Sequence, residues 1–129
     1  MKRLPTIVVL TALMSSIACS RKIDRDTVIG KYVANHGKGL DAIDLRKDGT
    51  YVYDCRLKSG EELHTTDHWT FADENGEPRI TFNHFVFCLS EYGAKPGYWD
   101  VKADRSLTGA VHLVLDPDLN YYYVKQNGN

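Results

Sequence analysis

Residues 47–57 read KDGTYVYDCRL. Within them the chain alternates in twos: Tyr51, Tyr53, Cys55 and Leu57 fall on one face, Asp54 and Arg56 on the other. A period of two belongs to a β-strand with one buried face, because successive side chains point to opposite sides of the pleat. Asp48-Gly49, just before it, is a hairpin signal, since glycine enters the positive-φ region that tight β-turns require without steric cost. One short stretch thus supplies a strand, its buried face and a reversal that brings the preceding strand alongside.

The same rhythm continues along the chain. Leu63, Thr65, Asp67, Trp69 and Phe71 share one face of the next run, and Glu62, His64, Thr66, His68 and Thr70 the other. The run 79–88 begins by alternating and then becomes apolar on both faces, which fits a more buried strand or a bulge. Residues 110–115 and 121–126 are rich in β formers. Turn chemistry separates the runs: Ser59-Gly60, Asn75-Gly76, the Gly93, Pro96 and Gly97 loop, and Asp116-Pro117-Asp118-Leu119-Asn120. About eight strands are predicted, near 30–35, 40–47, 50–58, 61–72, 79–88, 98–103, 110–115 and 121–126. Short strands and tight turns predict an all-β, antiparallel up-and-down meander that closes on itself, with a two-layer β-sandwich as the alternative. The polar stretch 20–28 reads as a tether, with room for one helical turn capped by Asp24 or Asp26.

The N-terminus carries a different message. Met1-Lys2-Arg3 precedes an apolar stretch from Leu4 to Ala18, shorter than the ~20 residues of a membrane span. A basic start, an apolar middle and a small residue at the end read as a secretory signal over 1–18. Ser16-Ile17-Ala18-Cys19 resembles the lipobox of bacterial lipoproteins, although Ser16 stands where that family prefers leucine. The resemblance implies acylation of Cys19, a lipidated tether over 19–28 and a domain over 29–129. With Ser20 rather than aspartate next, it also implies the outer membrane, facing the periplasm. An ordinary signal peptide cut nearby is the alternative. The remaining cysteines, Cys55 and Cys88, are expected to pair in that oxidising compartment, closing a loop worth roughly 3–4 kcal/mol. Two buried thiols or a catalytic thiol are the competing readings. The net charge of −1 and the lack of a basic block argue against a nucleic-acid partner.

Gly30-Lys31-Tyr32, then Ile43-Asp44-Leu45-Arg46-Lys47-Asp48-Gly49-Thr50-Tyr51, a Gly60 turn and His68-Trp69-Thr70-Phe71 resemble small lipocalin-like bacterial lipoproteins. The likeness covers about residues 29–87 and implies a lipocalin-like barrel more than an activity. A fainter one is to small lipid-anchored lysozyme inhibitors. Tyr53-Asp54-Cys55 is similar to their Y-x-C element and Ser59-Gly60 to their S-G loop, but Leu63 stands where a tyrosine belongs.

No set of residues announces catalysis, a cofactor or a metal. His64 and His68 share a strand face but lie about 13 Å apart, too far for one ion. His36, His84 and His112 are scattered. No serine sits in a nucleophile elbow. Asp116–Asn120 reads as a turn rather than a calcium loop. A pocket, if present, is expected to use Tyr51, Tyr53, Asp67, Trp69 and His84, the last sharing a face with Ile80, Phe82 and Val86 unless a bulge intervenes. Tyr121-Tyr122-Tyr123 must send at least one ring outward, a contact surface or an aromatic cover for the sheet. The expectation is a non-enzymatic, lipid-anchored protein of the cell envelope that binds a small apolar ligand or an envelope protein. The alternative is an inhibitor of a lysozyme-like hydrolase, or an assembly accessory, acting through surface loops.

Overall fold

The computed structural model describes residues 22–36, 39–57, 59–87 and 96–128. The expected signal segment, Cys19 and Cys88 lie outside these residues. A single helical turn, α1 (Arg25–Val28), precedes eight strands: β1 (Gly30–Ala34), β2 (Asp41–Leu45), β3 (Thr50–Arg56), β4 (Glu62–Glu74), β5 (Glu77–Phe85), β6 (Gly97–Arg105), β7 (Val111–Asp116) and β8 (Tyr121–Lys125). Each strand pairs antiparallel with the next, and β1 pairs with β8, so the sheet is a closed meander barrel. Closure excludes the sandwich alternative: among the described strands each has a neighbour on both sides, which limits the free edges that make open sheets prone to aggregate.

The alternation in the sequence becomes the inside and outside of this barrel. Tyr51, Tyr53 and Cys55 of β3 are buried, and they face Ile43, Leu45 and Asp41 of β2 through the register Leu45↔Tyr51, Ile43↔Tyr53 and Asp41↔Cys55. The turns are those the local residues dictate. Gly49 adopts φ 87° after Asp48, and Asn75-Gly76 adopts φ 53° and 84° between β4 and β5, the paired positive values that suit a two-residue hairpin.

Aromatic rings occupy the interior. Phe85 lies 4.5 Å from Tyr53 and 4.5 Å from Trp99, while Phe82 lies 5.1 Å from Tyr51 and 5.2 Å from Trp99, all between ring centroids. Tilted and edge-on contacts at these separations are favourable ring geometries, each worth about 0.5–1.5 kcal/mol beyond area burial.

One end of the barrel is closed by residues expected within the tether. Asp24 caps α1 by accepting from the Thr27 backbone N–H at 2.8 Å, and the Thr27 bonds hold its carboxyl below the usual range. Ile23 and Val28 then join the core, and the buried Tyr32 hydroxyl donates to the Val28 carbonyl at 2.6 Å. The Arg25 guanidinium sits 4.7 Å above the Trp69 ring and donates to the Lys47 carbonyl, while Trp69 Nε1–H donates to the Arg46 carbonyl. Residues 22–28 are thus a floor for the barrel rather than a solvated tether. Gly30, at φ 138°, lets the chain turn from this floor into β1; a Cβ there would lie 2.9 Å from Lys125 Cε.

Candidate functional site

At the opposite end, the mouth, the sheet carries an inward acid. Asp41 opens β2 on the same parity as Ile43 and Leu45 and is only 3% exposed. A buried carboxylate must be met by donors, or the loss of hydration is prohibitive. The donors come from β8 and from the turn after β1. Tyr123 Oη–H donates to Oδ1 at 2.7 Å, Tyr121 Oη–H donates to Oδ2, and His36 Nε2 lies 3.0 Å from the same Oδ2. The His36 ring stacks on Tyr121 at 5.3 Å with an interplanar angle of 8°. Burial pushes the Tyr53 and Tyr123 phenols far up, and the Asp41 charge adds to this. The phenols therefore stay neutral and act as donors. Two phenols of β8 donating to one carboxyl of β2 make the cluster a latch across the mouth.

The five residues expected to line a pocket divide into two groups. Tyr51, Tyr53 and Trp69 point inward and are packed among the core rings. Asp67 keeps the inward parity of Trp69 and stands opposite Tyr51, a quarter exposed, and it meets the outward-turned His84, whose Nδ1 lies 2.8 Å from Asp67 Oδ2. The sequence expectation for His84 needs correction. A register shift between Phe82 and Phe85 turns His84 outward at φ 48°, leaving its side chain 65% exposed, and Phe85 takes the inward place. Asp67 sits at a seam: the β4–β5 pairing runs from Glu74↔Glu77 to Trp69↔Phe82, and beyond it the carboxylate bridges to His84. The His68 backbone N–H, donating at 2.7 Å, is the main cause that holds the Asp67 carboxyl below its usual range, and the His84 contact assists. Tyr51 Oη–H donates to the Asn83 carbonyl at 2.6 Å; burial, with the Asp67 charge nearby, raises its phenol. Among the described residues no group of three His, Cys, Asp or Glu side chains is arranged to hold a metal.

The outer wall of β6, β7 and β8 carries a shallow groove of about 780 Å³. Its floor includes Val114 and a planar platform in which His112 stacks on Tyr122 at 4.4 Å and 17°. Lys102, Asp104, Arg105 and Asn120 stand around it. Of the three consecutive tyrosines, Tyr123 is buried, Tyr122 turns outward, and Tyr121 packs against the core edge because the register shifts between Val114 and Asp116. Asp116 is a turn-former, accepting from the Asp118 and Leu119 backbone N–H groups at 2.9 and 3.2 Å.

The sequence reading missed Asp41 and His36. One signal was present: Asp41 falls on the inward parity of a strand whose other inward residues are Ile43 and Leu45, and a carboxylate there demands partners. Its two phenol partners, Tyr121 and Tyr123, lie 80 and 82 positions away and had no local signature.

Fold and side chains together define a class: a small closed eight-stranded antiparallel barrel, ring-filled inside, floored by a helical turn and latched at the mouth by a buried acid. Comparison with protein-family models, curated proteins and solved structures returns no match.

Proposed function

We propose that this chain is a lipid-anchored, non-catalytic interaction protein of the bacterial cell envelope. It recognises an envelope protein through the outer wall of a lipocalin-like barrel. The observation that carries this reading is the β6–β8 groove with its His112–Tyr122 platform. A half-buried aromatic pair ringed by both charge signs resembles a recognition surface, since tyrosine brings contact area at low entropic cost. The carrier reading, with a small apolar ligand inside, has less support, because Tyr51, Tyr53, Phe82, Phe85 and Trp99 occupy the interior with one another. Inhibition of a lysozyme-like hydrolase is one form the surface reading can take.

The anchor reading rests on the lipobox-like Ser16–Cys19, and Ser20 in place of an aspartate supports the outer membrane, facing the periplasm, as its address. A Cys55–Cys88 disulfide belongs to the same reading. Cys55 lies on the inner face two positions beyond Tyr53, and Tyr53 packs on Phe85, three residues before Cys88 in the chain.

The test is photo-crosslinking in intact cells with p-benzoylphenylalanine at position 122 and, on the opposite wall, at position 66 of β4. A discrete protein adduct from position 122 and none from position 66 supports the reading. Equal adducts from both positions, or none from position 122, contradicts it.

A further inference from the structure

The N-terminal segment leaves the barrel at a defined place. Ile23 is buried against the core, and Lys22 Nζ lies 3.4 Å from Asp73 Oδ2 beside the β4–β5 turn. A depression of about 410 Å³ bounded by Lys22, Ile23, Gly76 and Arg105 sets this exit between the β4–β5 and β6–β7 turns. Both turns belong to the floor end. Cys19 precedes Lys22 by three peptide steps, and three fully extended steps reach about 11 Å.

The next step rests on the reading that Cys19 is acylated. Acyl chains enter the hydrocarbon, so the cysteine backbone lies at the lipid–water boundary. The exit point is then within about 11 Å of that boundary. The mouth cannot take its place. A nine-residue strand such as β5 rises roughly 30 Å along its own axis, or roughly 20–25 Å along a barrel axis at usual tilts.

A second observation concerns the same rim. Leu107, at the tip of the β6–β7 turn, is fully exposed, with relative accessibility 109%. Charges of both signs line the depression at this end of the barrel, Asp104, Arg105, Lys22 and Asp73 among them. Charge attraction therefore is not what the rim offers to lipid; an apolar tip is. The geometry points to the floor rim, led by Leu107, as a membrane-contact surface, with a lipid surface as its partner. The mouth and the β6–β8 wall then face the periplasm.

The experiment uses the full chain, expressed with its own N-terminus, purified from membranes and reconstituted into phosphatidylcholine vesicles containing lipids brominated high on the acyl chain. Leu107→Trp and Leu119→Trp are compared, the second at the mouth, where Leu119 is 77% exposed. The native Trp69 and Trp99 are buried and give a common background. Both substitutions are at exposed turn tips, so the fold is retained. Leu107→Trp emission is expected to be quenched severalfold more than that of Leu119→Trp. A long Gly/Ser insert between Arg21 and Lys22 should bring the two together. An acylated chain in which Leu119→Trp is quenched as much, or in which neither is quenched, overturns the orientation alone. A chain whose intact mass carries no acyl groups overturns the anchor, and the proposal with it.

Discussion

Alkaline pH probes the barrel interior through its phenols. Tyr32, Tyr51, Tyr53 and Tyr123 are all fully buried side chains, and burial raises each phenol well above its ordinary range. In the unfolded chain they ionise near pH ~10. Below that value both states hold the proton and stability is unaffected. Above it the unfolded chain releases protons that the fold retains, so stability falls as pH rises towards the folded pKa values. Each such phenol removes about 1.4 kcal/mol per pH unit. At about pH 11.5 four of them remove at most about 8 kcal/mol, comparable to the whole stability of a typical domain, about 5–15 kcal/mol. The barrel is therefore expected to unfold cooperatively between about pH 11 and 12. The assay follows tyrosinate absorbance and far-ultraviolet circular dichroism on one sample. The four buried phenols should ionise in a single step that coincides with loss of the β signal. Smooth ionisation of all eight tyrosines with the β signal intact would refute the packing described above.

Three further outcomes are expected. Asp41→Asn removes the charge that accepts from Tyr121 and Tyr123 and sets an amide against a phenol donor, which should cost about 2–3 kcal/mol in urea unfolding; a loss below about 0.5 kcal/mol would deny the latch. Gly30→Ala imposes a φ near 138° on a residue with a Cβ and presses it towards Lys125, whose Nζ donates to the Thr27 carbonyl; about 1–3 kcal/mol should be lost, seen as a lower Tm. If Cys55 and Cys88 pair as proposed, reduction of the protein isolated under thiol-blocking conditions should add the mass of two hydrogens and lower stability by roughly 3–4 kcal/mol, and an unchanged mass would show that they do not pair.

Local rules explain how much of this fold was readable. Alternation placed the eight strands to within a few residues, since one buried face forces a period of two, and Asp48-Gly49 and Asn75-Gly76 marked hairpins because few other pairs accept their φ values. The floor was underestimated: Ile23 and Val28 lie in a charged stretch, and two apolar residues give no periodicity to measure. The bulge at Asn83-His84 left only a hint, a run apolar on both faces, and the identity of the residue turned out depended on how β6 packs against it. The mouth latch joins Asp41 to Tyr123 across 82 positions, a contact that barrel closure creates and that no window of sequence contains. For the site, Tyr51, Tyr53 and Trp69 were placed inward correctly by parity, whereas the outward platform of His112 and Tyr122 needed the pairing of β7 with β8 to bring the two rings together.

The barrel interior is occupied by its own aromatic rings, and the proposed recognition is on the outside. Native and denaturing mass spectra of the chain purified from cell envelopes test this most directly. The same polypeptide mass is expected in both, with any acyl groups on Cys19 present in each. A stoichiometric small molecule present in the native spectrum and released on denaturation would contradict it and restore the carrier reading.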